Sequence, residues 1–79
     1  MQKRSLTING HRTSISLEES FWMALNDIAK ARQQSLASLV QMIDKERDGG
    51  LSSAIRVFIL AELRHQLAAS TTTKTGQIF

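Results

Sequence analysis

The sequence predicts a mainly α domain that opens with a short N-terminal β-ribbon. Three observations carry that class. Residues 5–17, SLTINGHRTSISL, alternate apolar and polar side chains on both sides of an Asn-Gly, the period-two pattern of strands. Two later stretches, SLEESFWMALNDIAKAR and LASLVQMIDKERD, repeat apolar residues at helical spacing. A third, SAIRVFILAELRHQLAA, is apolar around most of a helix's circumference.

Composition narrows the class further. A chain of 79 residues makes one small domain, and such a domain buries only about 60–65% of its unfolded surface. At 42% hydrophobic residues the chain has ample material to fold, and small size with rich apolar content points to a homo-oligomer. There is no cysteine, so neither a disulfide nor a thiolate-held metal supplements the core, which fits a reducing cytoplasm. No segment approaches the roughly 18 uninterrupted apolar residues of a membrane span, and no membrane association is expected.

The net charge is +3, unevenly placed. Residues 1–16 carry Lys3, Arg4 and Arg12 with no acid, whereas residues 17–48 hold six acids against four bases. The N-terminus is therefore a basic patch that a dimer would double.

Asn-Gly between alternating segments is a strong short-range hairpin signal, because both residues tolerate the positive φ of a type I′ turn. Pairing about Asn9-Gly10 sets Ile8 opposite His11, Thr7 opposite Arg12, Leu6 opposite Thr13 and Ser5 opposite Ser14. Leu6, Ile8, Thr13 and Ile15 then point inward, and Lys3, Ser5, Thr7, Arg12, Ser14 and Ser16 point outward. Residues 12–17 serve equally as a lone strand awaiting its copy from a second chain. The two arrangements can also hold together, as a four-stranded sheet.

The first helix is expected over about residues 18–32, with the stripe Phe21, Leu25 and Ile28 widened by Trp22 and Ala29. Ser16 and Glu19 have capping-box spacing, and Glu18 and Glu19 suit the positive end of the helix dipole. Ser35 is a natural N-cap for the second helix, whose stripe is Leu36, Leu39, Val40 and Ile43. Gly49-Gly50 is expected to end it in the left-handed conformation, and Ser52 to cap the third helix. In that helix Arg56, Glu62 and Arg64 interrupt Ala54, Ile55, Val57, Phe58, Ile59, Leu60, Ala61 and Leu63. Leaving four large aliphatic side chains in water forgoes about 1.5–3 kcal/mol each. One chain has too little material to cover them, so a second is expected to. The domain is placed at residues 3–68, with a flexible tail over residues 69–79.

A strand leading into two helices, with a polar strand face and a basic terminus, resembles the ribbon-helix-helix proteins of the MetJ/Arc type. RTSISLEESFWMAL supplies strand and first helix, and SLASLVQMI the second, with Ser35 eighteen residues after Leu17. The order KRSLTINGHRTSISLE, FW, LSSAIRVFILAEL is similar to a small bacterial subfamily, over about residues 3–64. The resemblance implies an intertwined homodimer whose antiparallel ribbon enters the major groove of double-stranded DNA.

It also assigns roles. Base contact falls to Arg12, Ser14 and Ser16, with Arg12 able to bond guanine bidentately. Phosphate attraction falls to Lys3, Arg4 and His11, together with the helix start at Ser35 and Leu36. The shared dimer core would be Ile15, Leu17, Phe21, Leu25, Leu39, Val40, Ile43, Ile55, Phe58 and Ile59. The chain departs from the family in two places: Gln33-Gln34 stands where a glycine is common, and the third helix is an addition. A different register would make residues 52–65 the family's second helix.

A four-stranded sheet is about 14 Å across, too broad to sit deep in a groove about 12 Å wide. A flanking strand would have to peel away or bind phosphate. Other chemistry has little to build with. His11 and His65 lack the spacing of a metal site, and no carboxylate pair, nucleophilic triad or phosphate loop is present. No enzyme and no cofactor is expected. The remaining alternative is a protein-interaction or dimerisation module on the same fold, with the third helix meeting a protein partner.

Overall fold

The computed structural model describes residues 1–73, with side chains through residue 69. A β-hairpin of β1 (Gln2–Ile8) and β2 (His11–Leu17) is followed by α1 (Glu19–Ala31), α2 (Leu36–Glu46) and α3 (Leu51–Thr73). The hairpin is antiparallel, in the register that alternation about Asn9-Gly10 predicts: Ile8 faces His11, Thr7 faces Arg12 and Ser5 faces Ser14. Asn9 at φ 53° and Gly10 at φ 80° are the two left-handed residues of a type I′ turn.

One face of the hairpin lies on the helices, α2 packing beneath β1 and α3 beneath β2. Ile8, Ile15 and Leu17 from the strands join Trp22, Leu25, Ile28, Leu39, Val40, Ile43, Ile55 and Ile59 in a single core. Trp22 rather than Phe21 is the central aromatic of α1. It is fully buried while Phe21 is half-buried. The Trp22 indole Nε1–H donates to the Gln2 carbonyl at 2.9 Å, which satisfies its one polar atom. Phe58 likewise stays half-buried.

The inner side of α3 is covered within one chain. Ile55 and Ile59 of α3 are 0% and 1% exposed without any second copy. The hairpin and two short helices leave a trough that half of α3 fills. The part not covered is its outer side, where Val57, Leu60 and Leu63 are 65%, 55% and 46% exposed.

The helix ends show where local signals gave way to tertiary ones. Ser16 does not cap α1, because it is still strand. Glu18 takes the N-cap position with extended backbone and no side-chain cap bond. Ser35 does cap α2, its hydroxyl accepting from the Ser38 amide at 3.0 Å. Gly49-Gly50 does not end α2. The C-cap is Arg47 in extended conformation, and its guanidinium reaches back to Asp44 at 2.6 Å and forward to the Gly49 carbonyl. Ser52 does not cap α3, which begins one residue earlier. α3 also runs on to Thr73, so residues 69–73, expected in a flexible tail, are helical. Once nucleated, a helix extends cheaply through alanines such as Ala68 and Ala69. Residues 74–79 of that tail lie outside the described residues.

Candidate nucleic-acid interface

The hairpin face turned away from the helices is built from three cross-strand pairs: Lys3 with Ser16, Ser5 with Ser14, and Thr7 with Arg12. Five of the six side chains are exposed and Ser16 is half-buried. Period two puts all six on one surface once the apolar partners are committed to the core. No carboxylate lies among residues 1–17, so the surface is polar, basic and free of acids.

The backbone of β2 offers a second feature. Ile8 and His11 flank a two-residue turn and exchange both hydrogen bonds. Alternation then commits the amides and carbonyls of Thr13, Ile15 and Leu17 to β1. Those of Arg12, Ser14 and Ser16 point to the opposite edge, where the two-stranded sheet ends. Ser52 meets one of them, its hydroxyl donating to the Ser16 carbonyl at 3.1 Å. Nearby, Arg56 pairs with Glu18 at 3.0 Å and lies over the Phe21 ring at 5.8 Å. The Glu18 carboxyl is held below its ordinary value, first by hydrogen bonding to its own backbone and then by Arg56.

The start of α2 is the third feature. Ser35 occupies the Ser38 amide, and the amides of Leu36 and Ala37 are left over in the first turn, where an anion is favoured.

The hairpin, α1, α2 and α3 as far as residue 63 are matched, over residues 1–63, by the family described as the ribbon-helix-helix domain. This chain belongs to the ribbon-helix-helix family. No curated protein and no solved structure matches it. The family is generally one of DNA-binding transcription regulators and antitoxins, and its members usually act as homodimers.

Within that frame the predicted residues divide. Arg12, Ser14 and Ser16 share one face with Lys3, as expected. Arg4 does not join them. It pairs with Ile15 on the helix side of the hairpin, and its guanidinium lies 5.0 Å over the Trp22 ring, where a cation–π contact covers the core's largest side chain. His11 also falls on the helix side by register, exposed at the turn end. Leu36 is half-buried against the core, so its amide rather than its side chain faces out.

The two departures from the family pattern have physical explanations. Gln33 stands at φ 57°, the position where glycine is usual. Gln34 N–H donates to the Ala29 carbonyl and Gln33 N–H to the Lys30 carbonyl, a complete Schellman close without glycine. The third helix fills the core from within the chain, as described above. Sequence reasoning missed the role of Ser52, whose partner lies 36 residues away; only its polarity on an otherwise apolar helix hinted at one.

Among the described residues, no group of three or more His, Cys, Asp or Glu side chains is placed to hold a metal ion. Among the same residues, no helix is long and apolar enough to cross a membrane.

Proposed function

We propose that this chain binds duplex DNA as a homodimer, a small transcriptional regulator or antitoxin-like autoregulator that reads the major groove with the outward face of its hairpin. The observation that carries the reading is the acid-free surface of Lys3, Ser5, Thr7, Arg12, Ser14 and Ser16 beside an open β2 edge. Two β2 strands pairing antiparallel about Ser14 would set Arg12 of one chain beside Ser16 of the other. The site read would be a short palindrome.

The hairpin answers the width problem in its own way. A β1-β2-β2-β1 sheet places its outer strands about 7 Å from the two-fold axis, over the phosphate ridges that bound a groove about 12 Å wide. Only the β2 pair then enters the groove. Arg12 meets base edges, while Lys3, Ser5 and Thr7 meet phosphates, with the Leu36 and Ala37 amides adding a further clamp. The absence of cysteine suits a cytoplasmic setting.

The test is fluorescence anisotropy on a duplex enriched from a random-sequence pool. The enriched duplex should be palindromic. Log affinity should fall with log salt by about 0.9 per phosphate neutralised. Arg12→Ala should weaken binding to that duplex at least about tenfold more than binding to the random pool. Equal losses on both would contradict direct readout.

A second reading is favoured by one observation. An apolar groove of about 600 Å³ between α2 and α3 includes Met42, Ile43, Ala54, Val57 and Phe58, with Val57 65% exposed. A protein-interaction module that does not read DNA would dock an apolar partner segment there. In that case Val57→Asp would abolish partner binding and Arg12→Ala would have no effect on function.

A further inference from the structure

The outer side of α3 has two faces, and one of them lines up with the open edge of β2. At about 100° per residue, positions 52, 56, 60, 63 and 67 fall within an arc of about 80°. The first two members fix where that arc points. Ser52 donates to the Ser16 carbonyl on the β2 edge, and Arg56 pairs with Glu18 just beyond the strand. Further along the same arc stand Leu60, Leu63 and Leu67, at 55%, 46% and 68% exposure. Their spacing of three and then four residues is that of a helix–helix seam.

We propose that this leucine face is the second half of the dimer interface, occupied by the same face of a second copy of the chain. The inference rests on the reading that β2 pairs with its copy about Ser14, and it names what that pairing lacks. A stable interface buries about 1,200–2,000 Å², and the strand edge that each chain brings to the pairing is short, 7 residues. In this chain Ile55 and Ile59 are already buried within one protomer, so these two add no area to an interface. The leucines are large and apolar, they continue on the side of the open edge, and a two-fold axis there brings each face to its copy.

A cysteine-free chain makes the test direct. Single variants Ser14→Cys, Leu63→Cys and, as a collision control on an exposed position of α1, Lys30→Cys are oxidised at micromolar concentration, and disulfide-linked dimers are counted. Ser14→Cys and Leu63→Cys should both cross-link well above Lys30→Cys. Cross-linking at Ser14 alone overturns the leucine seam and leaves the ribbon standing. Cross-linking at Leu63 alone keeps the α3 contact and overturns the ribbon. Neither exceeding the control overturns both. In parallel, Leu63→Asp should weaken dimerisation by about a hundredfold or more in sedimentation equilibrium, with the circular dichroism spectrum unchanged. Unaltered dimerisation would refute the proposal independently of the cross-links.

Discussion

The two faces of the hairpin share one backbone and divide its labour. On the inner face Ile8, Ile15 and Leu17 are at most 4% exposed and lie against three helices. On the outer face Lys3, Ser5, Thr7, Arg12 and Ser14 are exposed and make no apolar contribution. Because side chains alternate with period two, the strand can be optimised for packing on one side and left free for recognition on the other. Substitutions on the inner face should therefore cost folding, and substitutions on the outer face should cost binding without costing folding.

The comparison breaks most visibly at Trp22, on which the inner face rests. Trp22→Ala removes a fully buried ring and its hydrogen bond to Gln2, and should destabilise by about 3–5 kcal/mol in urea unfolding. For a domain this small that is most of its stability. Arg12→Ala should do the reverse. Its unfolding midpoint should stay within about 0.5 kcal/mol of the parent, while each lost guanidinium contact costs about 1–3 kcal/mol of discrimination in the DNA titration.

Two substitutions at the α1–α2 turn sharpen the division. Ser35→Ala should lose about 1 kcal/mol of stability through the cap and also weaken non-specific DNA binding, since it disorders the amides proposed to hold phosphate. Gln33→Gly should raise stability by about 0.5–1 kcal/mol, because a left-handed φ strains any residue with a Cβ. It should leave affinity unchanged; thermal unfolding followed by circular dichroism reads the stabilities, and the DNA titration reads the affinities.

The smallest expected effect is the pH dependence of the tie between α3 and the end of β2. The Glu18 carboxyl titrates below its ordinary 4.5 in the folded chain, so its contribution is present above that value. It is lost as pH falls through the folded value. Arg56→Ala should lower stability slightly at neutral pH, where the pair is intact, and leave acid stability almost unchanged, so that the fall in stability below pH 4.5 becomes shallower.

Much of this division is legible in the sequence because it is written locally. Asn9-Gly10 and the alternation around it determine the hairpin register and both faces, and Ser35 marks the start of α2. What the sequence does not show is settled by particular contacts, some between distant residues and some within one turn. Ser52 reads as a helix cap until it is seen inside α3, its hydroxyl donating to the Ser16 carbonyl on the strand edge. Gly49-Gly50 reads as a helix stop until Arg47, holding Asp44 and the Gly49 carbonyl, ends the helix earlier. Arg4 reads simply as surface charge until its register with Ile15 and the Trp22 ring beneath it put it on the helix side of the hairpin. The all-round apolar α3 reads as a demand for a second chain. In fact half of that surface is consumed inside the first, and only the outer leucines and Val57 remain for anything else.

The central claim is that the outer hairpin face is the surface that meets DNA, and amide NMR on the ¹⁵N-labelled chain titrated with the enriched duplex tests it most directly. Shift changes concentrated at Lys3, Ser5, Thr7, Arg12, Ser14 and Ser16, with Leu36 and Ala37, are the predicted result. Changes confined to α3, with the hairpin amides unmoved at saturating duplex, would contradict it.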